Sequence, residues 1–329
     1  MRDVLNWGIL GASNFARNLM APAIHAAENA RFVALATTSH EKANGFKVFC
    51  PDLKVHESYD ALLMDPDVDV VYIPLPNSLH VKWAQLAARA GKHVLVEKPI
   101  AMKADEIDEL IALRDETGLL IAEAYMIVHH PQWIRARELV QSGAIGQVDH
   151  VDTAFSYDNR ADVKNVRNNP DLGGGGIRDI GVYTYSSVRF VTGAEPSDLS
   201  ARIKTENGVD TWAQVVGEME GKLGRFTYSA ITSMRLSPRQ EVVFQGDTGQ
   251  IRLTAPFNPG VFGQAELELR RPDGTRTIET WPRANHYVLQ IENFGRTVRD
   301  GMDYPCPLEF SRGTQAMIDR VFDVAVDIS

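Results

Sequence analysis

The chain has 329 residues, a formal net charge of −9 at pH 7 and an apolar content of 44%. This length exceeds what one hydrophobic core usually supports, so we expect two domains. The acidic balance, with no run of Lys or Arg to offset it, argues against nucleic acid and anionic membranes as partners. Cys50 and Cys306 belong to no closely spaced Cys/His set, so the sequence predicts neither a metal site nor a disulfide framework.

The N-terminus passes directly into an apolar strand pattern, without the apolar stretch of a secretory signal. Nowhere does the chain contain an uninterrupted run of about 18 apolar residues, the length that spans a bilayer. We therefore expect no membrane segment and a cytoplasmic protein.

Short apolar runs alternate with longer helix-periodic segments in the first third of the chain. The pattern is typical of parallel strands joined by crossover helices, and it predicts an N-terminal Rossmann domain over residues 1–122. Gly91 and Gly118 mark the ends of its two clearest helices. The predicted strands cover residues 5–10, 32–37, 68–75, 93–97 and 119–124, with a weak one near Val55, and the helices cover residues 79–90 and 104–116.

After Tyr125 the pattern changes to alternation with a period of two. Alternation of this kind, broken by turn sequences such as Asn207-Gly208, indicates antiparallel strands. The sequence therefore predicts an α/β chain whose C-terminal α+β domain, residues 123–329, is built on a mostly antiparallel open sheet. The predicted helices cover residues 131–142, 287–299 and 310–326, and the strands cover residues 148–157, 201–204, 211–218, 225–231, 239–244 and 264–270.

A degraded dinucleotide fingerprint follows the first predicted strand and opens a helix. Such a fingerprint needs small residues for a tight turn, for close approach to a pyrophosphate and for helix packing, and here they are Gly11, Ser13 and Ala16. In isolation, an ordinary strand-turn-helix corner would have the same pattern. From the position of the segment we predict cofactor contacts from Gly8, Gly11, Ala12, Ser13, Asn14, Phe15, Ala16 and Arg17.

The end of the second predicted strand indicates which dinucleotide binds. An Asp or Glu there would accept hydrogen bonds from the adenosine ribose of NAD and repel a 2′-phosphate. The chain instead has Thr37, Thr38 and Ser39, followed by Lys42. Hydroxyls and a cation favour the phosphate, with Arg17 as a second cation, so we predict NADP. NAD, or a polar loop that fits neither cofactor closely, is the alternative.

The fourth predicted strand runs out through Pro74 and Leu75 toward Asn77 and His80, at the same edge as Gly11. The carboxyl ends of parallel strands meet at one edge of a sheet, where ligands bind. We therefore predict that these four residues contact the cofactor. For His80, packing or helix capping is the alternative role.

Glu97 and Lys98 end the fifth predicted strand and so lie at that edge as well. Hydride transfer from a hydroxyl carbon needs a cation or donor to polarise the oxygen and a base for its proton, and Lys98 can project toward a nicotinamide held there. We predict that both residues contact the cofactor. In isolation, a Glu-Lys pair is more typical of a solvated surface.

Four consecutive glycines, residues 173–176, precede a helical stretch that carries Asp179 and Tyr183. Glycine runs are costly in conformational entropy, so we infer that some group approaches this backbone closely. The spacing of four puts the carboxylate and the phenol on one helix face. A neighbouring ammonium such as that of Lys98 would favour the ionised phenol, which would supply an acid/base. An ordinary amphipathic helix with Tyr183 in the core is the alternative.

In this order and spacing, the motifs resemble the Gfo/Idh/MocA family of dinucleotide-dependent oxidoreductases over essentially the whole chain. The resemblance implies a Rossmann domain followed by an α/β domain whose open sheet often forms the oligomer interface. We accordingly expect a dimer or tetramer through that sheet, and a sugar or polyol as substrate. The segments that carry the resemblance are residues 8–16, Pro76-Asn77 with His80, Glu97-Lys98-Pro99, and Gly174-Gly175-Gly176 with Asp179, Gly181 and Tyr183.

Tyrosine at position 183, where many relatives carry histidine, resembles the branch that contains NADP-dependent xylose dehydrogenase, glucose-fructose oxidoreductase and dimeric dihydrodiol dehydrogenase. That branch implies Tyr183 as the proton donor and acceptor and Lys98 as the residue that tunes it. The residues expected to contact substrate are Lys98, Tyr125, Arg167, Asn168, Asp179 and Tyr183. The favoured activity is an NADP-dependent aldose 1-dehydrogenase, and the alternatives are a dihydrodiol or keto-sugar oxidoreductase and a non-catalytic dinucleotide-binding sensor.

Overall fold

The computed structural model describes residues 3–329, which divide by their contacts into two compact units. The sequence pattern predicts a single boundary between residues 122 and 123. It does not anticipate that residues 285–312 return to the first unit, because periodicity indicates whether a segment is helical and not which core it joins. The first unit comprises the residues up to His129 with Asn285–Arg312, and the second comprises His130–Ala284 with Gly313–Ser329.

The described part of the first unit contains a parallel sheet. Its strands are β1 (Leu5–Leu10), β2 (Ala30–Ala36), β3 (Lys54–His56), β4 (Val70–Ile73), β5 (His93–Val96) and β6 (Ile121–Glu123). They lie in the order β3-β2-β1-β4-β5-β6, and all six coincide with predicted strands. The strand order reverses between β1 and β4, so the carboxyl ends of these two strands border the crevice that binds ligands in this topology.

The helices of the described chain agree with the predicted ones where the amphipathic pattern is long. Gly118 ends α5 with a φ of +66°, as predicted from its position. Residues 325–327 form a strand, so the last helix ends at Val324, two residues earlier than predicted, and it also begins two residues earlier. Within residues 3–329 the helices are α1 (Ala21–Ala26), α2 (His40–Lys47), α3 (Tyr59–Leu63), α4 (His80–Arg89), α5 (Ala104–Thr117), α6 (Pro131–Gln141), α7 (Val182–Thr192), α8 (His286–Asp300) and α9 (Leu308–Val324).

A mostly antiparallel sheet forms the second unit. Its strands are β7 (Val148–Asp158), β8 (Glu195–Glu206), β9 (Val209–Gly221), β10 (Gly224–Ser233), β11 (Arg235–Gly246), β12 (Gly249–Thr254), β13 (Glu266–Arg270), β14 (Arg276–Thr280) and β15 (Ala325–Asp327). They lie in the order β14-β13-β12-β11-β7-β10-β9-β8-β15, with parallel pairing only between β7 and β10 and between β8 and β15. The pattern did not predict β12 and β14, two short strands that follow tight turns.

The helix α7 packs against β7 and β10 and is buried along its whole length. Such a helix has no face exposed to solvent, which explains why its amphipathic signal is weak. Two irregular turns lead into helices that matter for the site: a π-helical turn at Ala16–Met20 before α1 and another at Ile177–Gly181 before α7. In the described residues no helix is both long enough and apolar enough to span a membrane.

Candidate functional site

The turn after β1 borders the candidate cofactor site. Gly11 has a φ of +91°, which residues with side chains rarely adopt, and a Cβ there would lie 3.2 Å from Leu75 Cδ2 and 3.3 Å from the Tyr59 hydroxyl. Ser13 Oγ accepts a hydrogen bond from the Ala16 amide at 3.1 Å. The turn is therefore a cradle that a side chain at position 11 would narrow.

A cavity of about 570 Å³ lies at this turn, at the carboxyl edge of the parallel sheet. Its walls combine three loops that the sequence predicted separately, and a fourth segment that it did not. The predicted cofactor residues that line it are Gly11, Ala12, Ser13, Thr37, Thr38, Ser39, Lys42, Pro74 and Leu75. The additional lining residues are Glu57, Ser58, Tyr59, Asp60, Pro76 and Trp83.

The loop after β2 presents hydroxyls at the first turn of α2. Ser39 caps that helix, because its Oγ accepts the Lys42 amide at 3.3 Å, while the Ser39 amide donates to Thr37 Oγ1 at 3.1 Å. The side chain of Lys42 is exposed on the same turn. An anion bound here would meet hydroxyls, a helix N-terminus and a cation.

Tyr59 and Trp83 form an aromatic wall of the cavity that the sequence analysis missed. Their ring centroids are 4.8 Å apart and their planes are nearly perpendicular, at 89°. Burial raises the pKa of Tyr59, so its phenol is neutral at ordinary pH. The available signal was the position of Trp83, in the first turn of a helix that starts at the ligand-binding edge.

Gly8 is a packing position, which corrects its prediction as a cofactor contact. It is buried inside β1, and a Cβ there would lie 2.8 Å from Leu62 Cδ2 and 3.2 Å from Val68 Cγ1. The missing side chain makes room for α3 on the sheet. A glycine in a strand often marks this kind of close approach.

Besides Asn14, three other residues of the fingerprint segment lie outside the cavity lining. Phe15 packs edge-to-face on Tyr287 with centroids 5.7 Å apart, and Ala16 is fully buried. Ala16 is thus a packing residue, which corrects its prediction as a cofactor contact, whereas Phe15 is half-buried and its contact with the cofactor stays a prediction. Arg17 is exposed, and its Cδ lies 2.8 Å from where a Cβ on Gly45 would stand. Its contact with the cofactor stays a prediction.

His80 is a buried link between two loops, which corrects its prediction as a cofactor contact. Its exposed fraction is 0%, and its ring nitrogens lie 2.7 Å from the carbonyls of Pro99 and Leu75. Burial lowers the pKa of His80, whereas the two carbonyls act in the opposite direction. A neutral imidazole can donate to only one of them. The ring thus lies between the loop after β4 and the loop after β5 and, when neutral, donates to a carbonyl of one of them.

The Glu97 side chain is held beneath the loop that carries Lys98. The Tyr72 hydroxyl donates to Glu97 Oε1 at 2.5 Å, and burial raises the pKa of this carboxyl above its usual range. Lys98 is half-buried. Both residues follow β5 at the ligand-binding edge, as the sequence predicted, and with Asn14 and Asn77 they remain predicted cofactor contacts.

Tyr125 is buried, and its contact with substrate stays a prediction. Its exposed fraction is 1%, and its ring centroid lies 6.4 Å from that of Phe310. The pattern could not separate it from its neighbours because the whole stretch from Ile121 to His130 is buried.

In the second unit, Asp179 lies at the centre of a polar cluster. Its Oδ2 accepts hydrogen bonds from Arg167 Nε at 2.6 Å and from the Tyr157 hydroxyl at 2.9 Å. Burial and the Asp179 carboxylate raise the pKa of Tyr157, so this phenol stays protonated and donates. The pKa of Arg167 is raised first by Asp179, with smaller contributions from Tyr157 and Tyr183. The sequence predicted Arg167 and Asp179 but missed Tyr157.

Tyr183 lies four residues beyond Asp179, in the first turn of α7. Its exposed fraction is 5%, and its ring is held by Phe155 at 5.6 Å and Phe257 at 5.5 Å between centroids. Those two phenylalanines stack on each other at 5.0 Å. Because packing fixes the ring, its hydroxyl has a defined direction, and the Arg167 guanidinium is within electrostatic reach of it.

Asn168 follows Arg167 in a short 3-10 turn. Its side chain donates to the Asp162 carbonyl at 3.0 Å and accepts from Arg235 at 3.2 Å. It borders a smaller cavity of about 170 Å³, also lined by Arg160 and Glu206. Asn168 thus lies at a solvent-accessible surface of the second unit, and its contact with substrate stays a prediction.

Two family models match the chain. The one described as "Oxidoreductase family, NAD-binding Rossmann fold" matches residues 5–125, and the one described as "GFO/IDH/MocA C-terminal domain" matches residues 133–252. The first of these ranges contains the cavity, and the second contains the cluster around Asp179 and Tyr183.

Similar proteins of known activity match nearly the whole chain. A dTDP-3,4-didehydro-2,6-dideoxy-alpha-D-glucose 3-reductase of Streptomyces violaceoruber is 35% identical over 90% of this chain and 85% of its own length. A D-xylose 1-dehydrogenase (NADP(+)) of Haloferax volcanii is 32% identical over 97% of each chain. The 3-ketoreductase KijD10 from Actinomadura kijaniata, solved in complex with NADP and TDP-benzene, superposes with a TM-score of 0.88 over 99% of each chain at 28% identity.

The geometry and the comparisons agree. A parallel sheet with a glycine cradle at its reversal point is followed by a second unit with a tyrosine locked beside an Arg-Asp pair, and both parts match the corresponding family models. The chain belongs to the Gfo/Idh/MocA family of oxidoreductases.

Proposed function

We propose that this protein is an NADP-dependent sugar oxidoreductase, most simply an aldose 1-dehydrogenase. The observation that carries the proposal is the packing of Tyr183, whose phenol is held by an aromatic cluster within reach of the Arg167-Asp179 pair. A fixed, protonatable oxygen beside a carboxylate is suited to the hydroxyls of a sugar. A xylose dehydrogenase that uses NADP is among the relatives at 32% identity.

The cavity of the first unit is where we propose that NADP binds. When bound, the cofactor supplies a nicotinamide C4 that accepts a hydride. Gly11 and Ser13 leave room for a pyrophosphate against the backbone, and the hydroxyls after β2 with Lys42 suit a 2′-phosphate. Glu57 and Asp60 also line the cavity and could accept from ribose hydroxyls, as an NAD site would require.

In the proposed reaction, a hydride leaves C1 of an aldopyranose and the proton of its hydroxyl passes to the ionised Tyr183 oxygen. The products are a lactone, the reduced cofactor and a protonated tyrosine. Lys98 would hold the phenol in its reactive state, as the family resemblance implies, and Asp179 would accept from a sugar hydroxyl. The reverse direction reduces a carbonyl with Tyr183 as the acid.

The second candidate is a ketoreductase that acts on a nucleotide-linked sugar with the same residues. It is favoured by the 3-reductase relative at 35% identity and by the fold match to a ketoreductase solved with TDP-benzene. A panel of free aldoses with NADP, and of nucleotide-linked 3-keto sugars with NADPH, separates the two candidates. Binding of NADPH without turnover on either panel would point instead to a non-catalytic sensor.

We also propose that copies of the chain associate through the sheet of the second unit, as a dimer or tetramer. Helix α7 covers one side of that sheet, while large apolar side chains on three of its strands stay exposed. These are Val216 on β9, Leu236 on β11 and Ile278 on β14, each more than two-fifths exposed. A cytoplasmic location also stays a prediction.

Replacing Trp83 should weaken cofactor binding. Removing an aromatic surface that contacts a base costs about 1–3 kcal/mol, so Trp83→Leu should raise the Kd for NADPH about 5- to 150-fold in calorimetric titration. Trp212→Leu, a matched change on β9 in the other unit, should leave the Kd unchanged. Equal Kd values for the two variants would exclude Trp83 from the site.

Removing the Lys42 cation should weaken the binding of NADP and leave the binding of NAD unchanged. A single exposed charge contributes about 1 kcal/mol, so Lys42→Ala should raise the KM for NADP about fivefold and leave the KM for NAD almost unchanged. The control is Lys47→Ala, which removes an exposed lysine from the other end of α2. A wild-type preference for NAD would contradict the cofactor proposal itself.

Tyr183→Phe should abolish most of the turnover and spare the cofactor site. General acid/base groups contribute roughly 100- to 10,000-fold, so kcat should fall by that factor while the Kd for NADPH stays the same. The ring that packs against Phe155 and Phe257 is retained, so the melting temperature should barely change. Turnover within a factor of two of the wild type would remove Tyr183 from the mechanism.

Asp179→Asn should move the pH profile of oxidation to lower pH. The change removes a negative charge near Tyr183 and leaves the Arg167 charge less compensated, and both effects favour the ionised phenol. The acid limb of kcat/KM for oxidation should therefore move down by about one pH unit. Asp171→Asn, an exposed change in the same loop, serves as control, and a limb that moves upward would contradict this electrostatic account.

A further inference from the structure

The glycine run before α7 surrounds a buried carboxylate that the function above does not use. Asp210, the second residue of β9, is only 6% exposed, and its Oδ2 accepts a hydrogen bond from the Ile177 amide at 2.6 Å. Ile177 is the first residue of the π-helical turn that leads into α7. The carboxylate thus contacts the backbone at the start of the segment that carries Asp179 and Tyr183.

Gly175 is required by this contact, and Gly174 is required by a neighbouring one. A Cβ on Gly175, whose φ is +115°, would lie 2.2 Å from Asp210 Oδ1, and one on Gly176 would lie 3.4 Å from its Oδ2. A Cβ on Gly174 would lie 2.5 Å from the carbonyl oxygen of Arg167. The close approach inferred from the sequence is therefore made by the chain's own Asp210 and Arg167 backbone.

The π-helical turn connects Ile177 to both site residues, so the position of the Ile177 backbone affects where they lie. Asp179 lies within the turn, and Tyr183 is the second residue of α7, which continues it. Turns of this type are frequent at functional sites, because the extra residue per turn re-aims the side chains that follow. The phenol ring packs against Phe155 and Phe257, so a shift of its backbone changes where the hydroxyl lies.

We propose that Asp210 is a positioning residue that fixes the backbone of residues 175–177 and thereby the placement of Asp179 and Tyr183 for reaction. The inference rests on the proposed function, since it assigns Asp210 a role through Tyr183. Asp210 itself contacts no substrate or cofactor in this account.

The charge of Asp210 changes in the range where the enzyme would work. Burial raises the pKa of Asp210 to about 7, although the amides of Ile177 and Gly176 and the Arg178 guanidinium oppose the rise. The groups that face it are Arg178 on the π-helical turn, the Tyr185 phenol on α7, and the uncharged Thr205 opposite it on β8. The ionised carboxylate is the stronger acceptor for the amides, so the backbone is held best above that pKa.

The test is Asp210→Asn, which keeps the shape of the side chain and removes its charge. An amide offers one oxygen to the Ile177 amide but turns an NH₂ group toward the other donors, so the turn should shift. Misplacement of reacting groups by about 1 Å costs up to about 100-fold, so kcat should fall about 10- to 100-fold at about pH 8.5. At about pH 5.5 wild-type Asp210 is itself neutral, and the ratio of the two kcat values should approach one.

Two further readouts separate positioning from general stability. Because the pKa of Asp210 is higher in the folded chain than the usual 3.8, ionisation of this group costs stability as the pH rises from there to about 7. The variant should lose that part of the pH dependence of its Tm and should not melt earlier at about pH 8.5. Asp198→Asn, an exposed change on β8, should match the wild type in both kcat and Tm.

Amide hydrogen exchange tests the proposal without a substrate. In Asp210→Asn, peptides covering residues 173–183 should exchange faster than in the wild type at about pH 8.5, and peptides from the first unit should not change. Unchanged exchange in residues 173–183, or a kcat ratio that does not vary with pH, would overturn the proposal. If no sugar is turned over, faster exchange would still support the Asp210 contact while the proposed function fails.

Discussion

The carboxyl edge of the parallel sheet is the constraint on which the first unit depends. With β1 next to both β2 and β4, the chain leaves the sheet on diverging paths, and the loops after those strands surround a common opening. Gly11 can stand at its centre because it adopts a φ of +91°. Each residue proposed above to contact the cofactor lies either in a loop at this edge or on a helix that begins there.

The loops around that opening are held from beneath by groups that motif analysis tends to count as binding residues. The His80 ring lies between the loop after β4 and the loop after β5, with a carbonyl of each at 2.7 Å, and Tyr72 holds Glu97 with a short hydrogen bond. A residue that belongs to a binding motif can therefore act by shaping the loops and not by contacting the ligand. The burial of its side chain, and not its presence in the motif, distinguishes these two roles.

The second unit uses buried charge in a similar way. Asp179 is paired with the Arg167 guanidinium and accepts a hydrogen bond from the protonated Tyr157 phenol. Asp210 is less well compensated, and it stabilises the backbone of the glycine run at some cost in stability. In both arrangements a buried charged group fixes the position of its neighbours, which is common where side chains must be held in place for a reaction.

The sequence by itself determined the six parallel strands, the antiparallel character of the second sheet and three of the loops that border the cavity, because these depend on local periodicity and on turn residues. It also led to the prediction of Asp179 and Tyr183 as site residues, from their spacing of four. Only the tertiary structure decided which residues act through packing. The spacing of a motif does not say that Gly8 faces Leu62, that Tyr125 lies in the core, or that Asp210 on a distant strand fills the space left by the glycines. Such contacts join residues far apart in the chain, and long-range burial leaves no periodic signal in the sequence.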